Sequence, residues 1–235
     1  MMSNNKLPTQ SSSADVQEFL SKVARTSKTM TSGHGGRIIF AMDATASREA
    51  SWDRASNLQG EMFHEAALKG GLEIQLVYFR GFGEFQASSW TTESEKLLGL
   101  MTAVSCRAGE TQINKVLRHV LTETKKQSVD ALIYIGDSIE EDIDGLGAVA
   151  GELGLLGVPT FLFQEGENQI AEFGFRQISK LTNGAYCRLD ANSAKTLREL
   201  LRAVANYAVG GRLALEEMAK KEGGSILQIA KQLSK

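Results

Sequence analysis

The sequence predicts an α/β fold: a doubly wound, mostly parallel sheet of about six strands, with one antiparallel edge strand and helices on both faces. Three observations carry this. Short apolar runs rich in β-branched residues recur at Arg37 to Met42, Ala131 to Gly136 and Val158 to Gln164, the pattern of strands buried on both faces. Amphipathic stretches with a helical period lie between them, clearest at Ile113, Val116, Leu117, Val120 and Leu121. A Gly81-Phe82-Gly83 turn between two strand-like runs marks a single hairpin.

The elements follow in chain order. Residues 1–36 read as a flexible N-terminal tail, polar and Ser-rich at its start. Within it, Ala14 to Arg25 has a short amphipathic pattern of Val16, Phe19, Leu20 and Val23. The domain is expected over 37–210. Its first strand, Arg37 to Met42, precedes a helix over Ser51 to Lys69 with Trp52, Ala55, Met62, Phe63 and Ala66 facing inward. Leu72 to Arg80 is the next strand, and Glu84 to Thr92 returns antiparallel at the edge. Helices are expected over Glu93 to Val104 and Thr111 to Thr124, then the strand Ala131 to Gly136 and a Gly- and Ala-rich helix over Ile143 to Leu156. The strand Val158 to Gln164, the helix Gln169 to Leu181, the strand Ala185 to Leu189 and the helix Lys195 to Val209 complete the alternation. Residues 211–235 form a helical C-terminal tail around Gly223-Gly224.

Charge and composition narrow the function. The chain of 235 residues carries 26 basic and 28 acidic side chains, a net of −2. That balance argues against a nucleic-acid-binding surface and gives no polybasic pull toward a membrane. The polar start has no apolar segment of the secretory kind, and no run approaches the length needed to span a bilayer. The expected location is cytoplasmic. The two cysteines, Cys106 and Cys187, are too few for a disulfide framework and read as small hydrophobes in a reducing compartment.

In sheets of this kind, sites form at the carboxyl ends of the strands. Asp43-Ala44-Thr45-Ala46-Ser47 follows the first strand, and alternation points its three oxygen-bearing side chains the same way while the backbone is extended. Gly109-Glu110-Thr111 opens a helix, and Gly136-Asp137-Ser138 closes a buried strand. Taken singly, each is ordinary capping chemistry, with Thr111 and Asp137 as helix caps. Taken together, they set two carboxylates and three hydroxyls at one edge of one sheet. His34, His64 and His119 have no ligand spacing. Phe82, Phe85 and Trp90 on the hairpin read as packing rather than as a binding stripe.

The joint pattern resembles the von Willebrand factor A (VWA) domain with its metal-ion-dependent adhesion site, which uses Asp-x-Ser-x-Ser, a later Thr and a later Asp. The matches are Asp43, Thr45 and Ser47, then Thr111, then Asp137. They cover about 37–210, and Thr45 stands where the family has its first Ser. The resemblance implies a non-enzymatic interaction module whose metal grips an Asp or Glu of a protein partner. Oxygen-only donors suit Mg²⁺ first, with Mn²⁺ and Ca²⁺ as alternatives. Glu110, Ser138, Glu140 and Glu141 are the expected partner-facing rim. The acidic run Glu140-Glu141-Asp142-Ile143-Asp144 also reads as a solvated helix start. Bacterial relatives of the family often work beside chaperone-like ATPases, which extends the partner expectation to such a system.

Two rival readings share these residues. Tyr134 to Asp144 also resembles the late acidic motif of haloacid dehalogenase-type phosphatases, which bind Mg²⁺ at strand ends. Their first motif needs a second Asp two residues after the nucleophile, and here that place holds Thr45. The other rival is a VWA scaffold with an inactive metal site.

Overall fold

Strand β1 (Arg37–Asp43) reads Arg-Ile-Ile-Phe-Ala-Met-Asp and is buried along its whole length. That is possible because both of its faces are covered. Ile38, Phe40 and Met42 enter one hydrophobic cluster, and Ile39 and Ala41 enter the other. The structure, a computed structural model, describes residues 18, 22, 36–49, 72–189, 202–205 and 207–208. Most of the helix expected over 14–25, the helix over 51–69, most of the helix over 195–209 and the tail over 211–235 lie outside the described residues.

The other elements are β2 (Glu73–Arg80), β3 (Glu84–Ala87), α1 (Ser94–Thr102), α2 (Ile113–Lys126), β4 (Ala131–Gly136), α3 (Ile143–Leu155), β5 (Thr160–Glu165), α4 (Gln169–Leu181) and β6 (Ala185–Leu189). One six-stranded sheet has the order β3-β2-β1-β4-β5-β6. β3 alone is antiparallel to its neighbour. The chain thus winds outward from β1 in both directions, and the switch point lies between β1 and β4.

Helices cover both faces. On one, Leu97 and Met101 of α1 pack with Ala203, Val204, Ala205, Tyr207 and Ala208. On the other, the stripe of α2 predicted from its period (Ile113, Val116, Leu117, Val120 and Leu121) is buried with α3 and α4. Each such side chain contributes roughly 1.5–3 kcal/mol relative to exposure. α3 begins where Asp142 accepts from Gly145 N at 2.8 Å, and α4 where the Asn168 side chain accepts from Ile170 N and Ala171 N. Both are N-caps of the expected chemistry. Asp137 is therefore not the cap of α3.

The edge strand differs from expectation. Instead of running to Thr92 it ends at Ala87, and one further bridge joins Ile74 to Thr91. Val77 faces Ala87, so regular pairing would set Ile74 opposite Trp90. The edge therefore holds one extra residue, a bulge, with Ser88 Oγ accepting from Leu76 N at 3.0 Å. The hairpin turn is built on Gly81 (φ 57°) and Gly83 (φ 101°), left-handed values that favour glycine. Phe85 and Trp90 pack on the core as expected, but Phe82 at the tip is 82% exposed. Cys187 is buried and Cys106 is half-buried. No helix among the described residues is long and apolar enough to cross a membrane.

Candidate functional site

β1 and β4 are neighbours, so their carboxyl ends deliver Asp43 and the segment Asp137-Ser138 to one edge. Asp43 continues the Ile39, Ala41 alternation and faces the α2–α3 side. Its side chain is fully buried. Oδ1 accepts from Thr45 N at 2.8 Å, whereas Oδ2 has no hydrogen-bond partner. Burial lifts the carboxyl from 3.8 to about 6, with a smaller push from Asp137 and opposing help from Thr45 and Arg48. The loop then makes a single 3₁₀ turn over Ala46–Arg48. Thr45 is buried and Ser47 exposed, and their hydroxyls lie 3.1 Å apart. Asp137 is half-buried and accepts from Ser138 Oγ at 3.3 Å.

Thr111 reaches the same edge through the preceding loop. Arg107 N donates to Ala44 O at 3.0 Å, which ties that loop beside Asp43-Ala44-Thr45. Gly109 lies so close to Gly81 that an added Cβ would stand 2.1 Å from its carbonyl oxygen, so only glycine fits. Thr111 does not cap α2, which starts at Ile113 without a side-chain cap. Its amide donates instead to Glu140 Oε2 at 2.9 Å, and its hydroxyl accepts from Glu140 N at 3.0 Å. The hydroxyl also donates to Glu141 Oε2, and Glu141 Oε1 accepts from Asn114 N at 3.3 Å. The acidic run after β4 thus caps the start of α2, where the helix dipole favours negative charge. Glu110 and Glu140 are exposed; Ser138 and Glu141 are half-buried.

Sequence reasoning missed two features here. The first is Arg48, one of the largest fully buried side chains. Its Nη2 and Nε meet the Glu165 carboxylate at 2.9 and 3.2 Å, and its Nη1 donates to the carbonyls of Asp43 (2.6 Å) and Ile135 (3.4 Å). One guanidinium therefore ties together the carboxyl ends of β1, β4 and β5. Glu165, in turn, holds the guanidinium charged despite its burial. The second is Tyr134, buried on β4, whose hydroxyl also lacks a partner. An arginine in a loop and a glutamate at a strand end were visible signals, but β4 separates their strands and only the sheet order pairs them.

Among the described residues no group of three or more His, Cys, Asp and Glu side chains is set to hold a metal ion. A cation at this edge would rest on Asp43, Asp137 and neutral hydroxyls. The donor chemistry fits that use, because the buried, unpartnered Asp43 oxygen is the feature a cation would satisfy.

No protein-family model matches the sequence, and no curated protein matches it. Solved structures do. The VWA domain of SpRpn10 aligns at TM-score 0.56 and 14% identity over 73% of this chain and 94% of that one. A von Willebrand factor type A protein from Catenulispora acidiphila aligns at TM-score 0.61 and 13% identity over 74% of this chain and 43% of that one. The chain has the VWA-type fold. An aerotolerance-related membrane protein from Bacteroides fragilis shares that fold at TM-score 0.58 and 16% identity, over 73% of this chain and 99% of that one. So does proximal thread matrix protein 1 of the mussel byssus, solved with a zinc-occupied MIDAS motif, at TM-score 0.58 and 14% identity over 74% of this chain and 46% of that one. Within the VWA-type fold, Asp43, Thr45, Ser47, Thr111 and Asp137 all lie at the carboxyl edge, around the β1–β4 switch point.

Proposed function

We propose that this edge is a divalent-cation site through which the protein grips an Asp or Glu of a partner protein, as an interaction module rather than an enzyme. The single observation that carries the reading is the buried Asp43 Oδ2 without a hydrogen-bond partner. Withdrawing a carboxylate oxygen from water is costly unless a donor or a positive charge meets it. Asp43 and Asp137 supply the negative charge, and Thr45 and Ser47 supply neutral oxygens. The set favours Mg²⁺, with Mn²⁺ and Ca²⁺ as alternatives. Zinc, named in the byssus protein's site, prefers nitrogen and sulfur donors and belongs in the same titration. Balanced by only two carboxylates, a bound cation stays electrophilic and supplies a coordination position that an outside carboxylate completes.

Thr111 has a different part. Its hydroxyl donates to Glu141 and accepts from Glu140 N, and the remaining lone pair joins the donor set on engagement of a partner. The exposed Glu110 and Glu140 form part of a rim with Ser138 and Glu141, suited to a partner whose acid sits among basic residues. A component of a chaperone-like ATPase system is one such partner, and the cytoplasm is the compartment that fits it.

Calorimetry of the full chain with Mg²⁺ and Mn²⁺ tests the reading. Wild type is expected to bind, Asp43→Ala to lose binding and Asp137→Ala to weaken it, with circular dichroism unchanged. No heat with wild type, or equal heat with Asp43→Ala, would sink it. Cation binding should also weaken as the pH falls below about 6, where the Asp43 proton competes.

A further inference from the structure

Tyr134 lies one residue pair below the candidate site. Its partner in the sheet register is Ala41, and Asp43 follows two residues later on the same face. The Tyr134 ring is wedged between Phe79 (centroids 6.4 Å apart) and Phe175 (5.5 Å), which leaves it little freedom to turn. The hydroxyl reaches up beneath Gly136, where an added Cβ would stand 2.6 Å from it. It therefore sits directly under the residue that precedes Asp137. The charges that act on the hydroxyl are those of the site: Asp43 first, then Glu141 and Asp137, with Arg48 opposing. Burial and these carboxylates keep the phenol protonated, so it can only be a neutral donor toward them. At this edge two buried polar atoms lack partners, Asp43 Oδ2 and Tyr134 Oη. One is an acceptor with nothing to accept, and the other is a donor with nothing to receive its proton.

We propose that Tyr134 is a positioning residue for the cation site: its hydroxyl donates to Asp43 Oδ2 through one water and so fixes the carboxylate in its cation-binding orientation. This rests on the cation reading given above. The aromatic clamp sets the ring, and the small Gly136 leaves room for the hydroxyl. The role differs from coordination, because a protonated phenol directs its proton at the carboxylate, not at the metal.

The test combines affinity, stability and spectroscopy on the full chain, with Mg²⁺ and Mn²⁺ as probes. Tyr134→Phe keeps the ring and removes the donor, and it is expected to weaken cation binding about tenfold. The unfolding midpoint without added metal should change little, because the ring keeps its packing against Phe79 and Phe175. Metal addition to wild type should perturb the near-ultraviolet tyrosine difference spectrum, and that signal should survive Tyr186→Phe but vanish in Tyr134→Phe. Unchanged affinity in a folded Tyr134→Phe, or no tyrosine perturbation in metal-saturated wild type, overturns the proposal while leaving the cation site intact. If wild type binds neither metal, the cation reading fails first and this inference falls with it.

Discussion

The two ends of β1 each bury an arginine, and they do so to different effect. At the amino end, Arg37 meets Glu73 at 3.0 Å, donates to the carbonyls of Gln127 and Ser128, and lies 3.8 Å over the Trp90 ring. Its amide donates to Asp130 at 2.7 Å. At the carboxyl end, Arg48 likewise meets a glutamate and two carbonyls. Yet the carboxylate beside it, Asp43, keeps one oxygen unpartnered, and so does the Tyr134 hydroxyl. Thr160 Oγ1, at the start of β5, is also buried without a partner, but a neutral hydroxyl costs far less than a carboxylate oxygen. The amino end is closed chemistry that holds the sheet together. The carboxyl end is held just as firmly but carries a polar group that the fold itself does not satisfy, which is the feature expected of the proposed cation site.

The largest expected effect sharpens this contrast at Arg48. Arg48→Met removes the ion pair to the Glu165 carboxylate, only 20% exposed, and strips a donor from two strand-end carbonyls. Urea unfolding should show a loss of about 3–5 kcal/mol, and adding Glu165→Leu should recover most of it. A loss below about 1 kcal/mol would reduce the clamp to ordinary surface chemistry.

Asp43→Asn comes next and has the opposite sign. The carboxyl is raised to about 6 from 3.8, so the folded chain binds this proton more tightly than the unfolded chain does. The contribution of Asp43 to stability therefore falls as the pH rises from about 4 to 6, and it is least favourable above that window. The neutral amide should stabilise the metal-free protein by about 1–3 kcal/mol at pH 7, with little gain at pH 4, while abolishing cation binding. Thermal unfolding at both pH values reads this directly. A destabilised Asp43→Asn at pH 7 would mean the carboxylate is needed by the fold and would break the contrast.

The smallest effect is expected at the amino end. Arg37→Met keeps apolar contact with Trp90 and loses an ion pair whose Glu73 side chain is 42% exposed. A cost of about 1–2 kcal/mol should follow, with cation affinity unchanged in calorimetry. A shift in affinity would show that the two ends are coupled through β1.

Much of the architecture was legible from near neighbours in the chain. Apolar β-branched runs marked β1, β4 and β5, and a helical stripe marked α2, because burial on one or both faces writes a period into local sequence. Asp43, Thr45 and Ser47 also stand close together in sequence, so their shared edge needed no tertiary information. The Ser88 bulge escaped notice, because an extra residue changes the pairing without changing the apolar pattern.

Other features were decided only by the tertiary structure. Arg48 meets Glu165 because the sheet order brings the ends of β1, β4 and β5 side by side. Thr111 gives its hydroxyl to Glu141 because two loops distant in sequence meet at one edge. Asp142 of the acidic run after β4 caps its own helix, as the sequence suggested, yet its neighbour Glu141 accepts from the first turn of another. Whether a buried polar atom finds a partner is likewise a property of the whole packed edge. Asp43 could be named from the sequence, but its unpaired oxygen and the Tyr134 hydroxyl near it could not, because strand order and register bring together groups that no local period records.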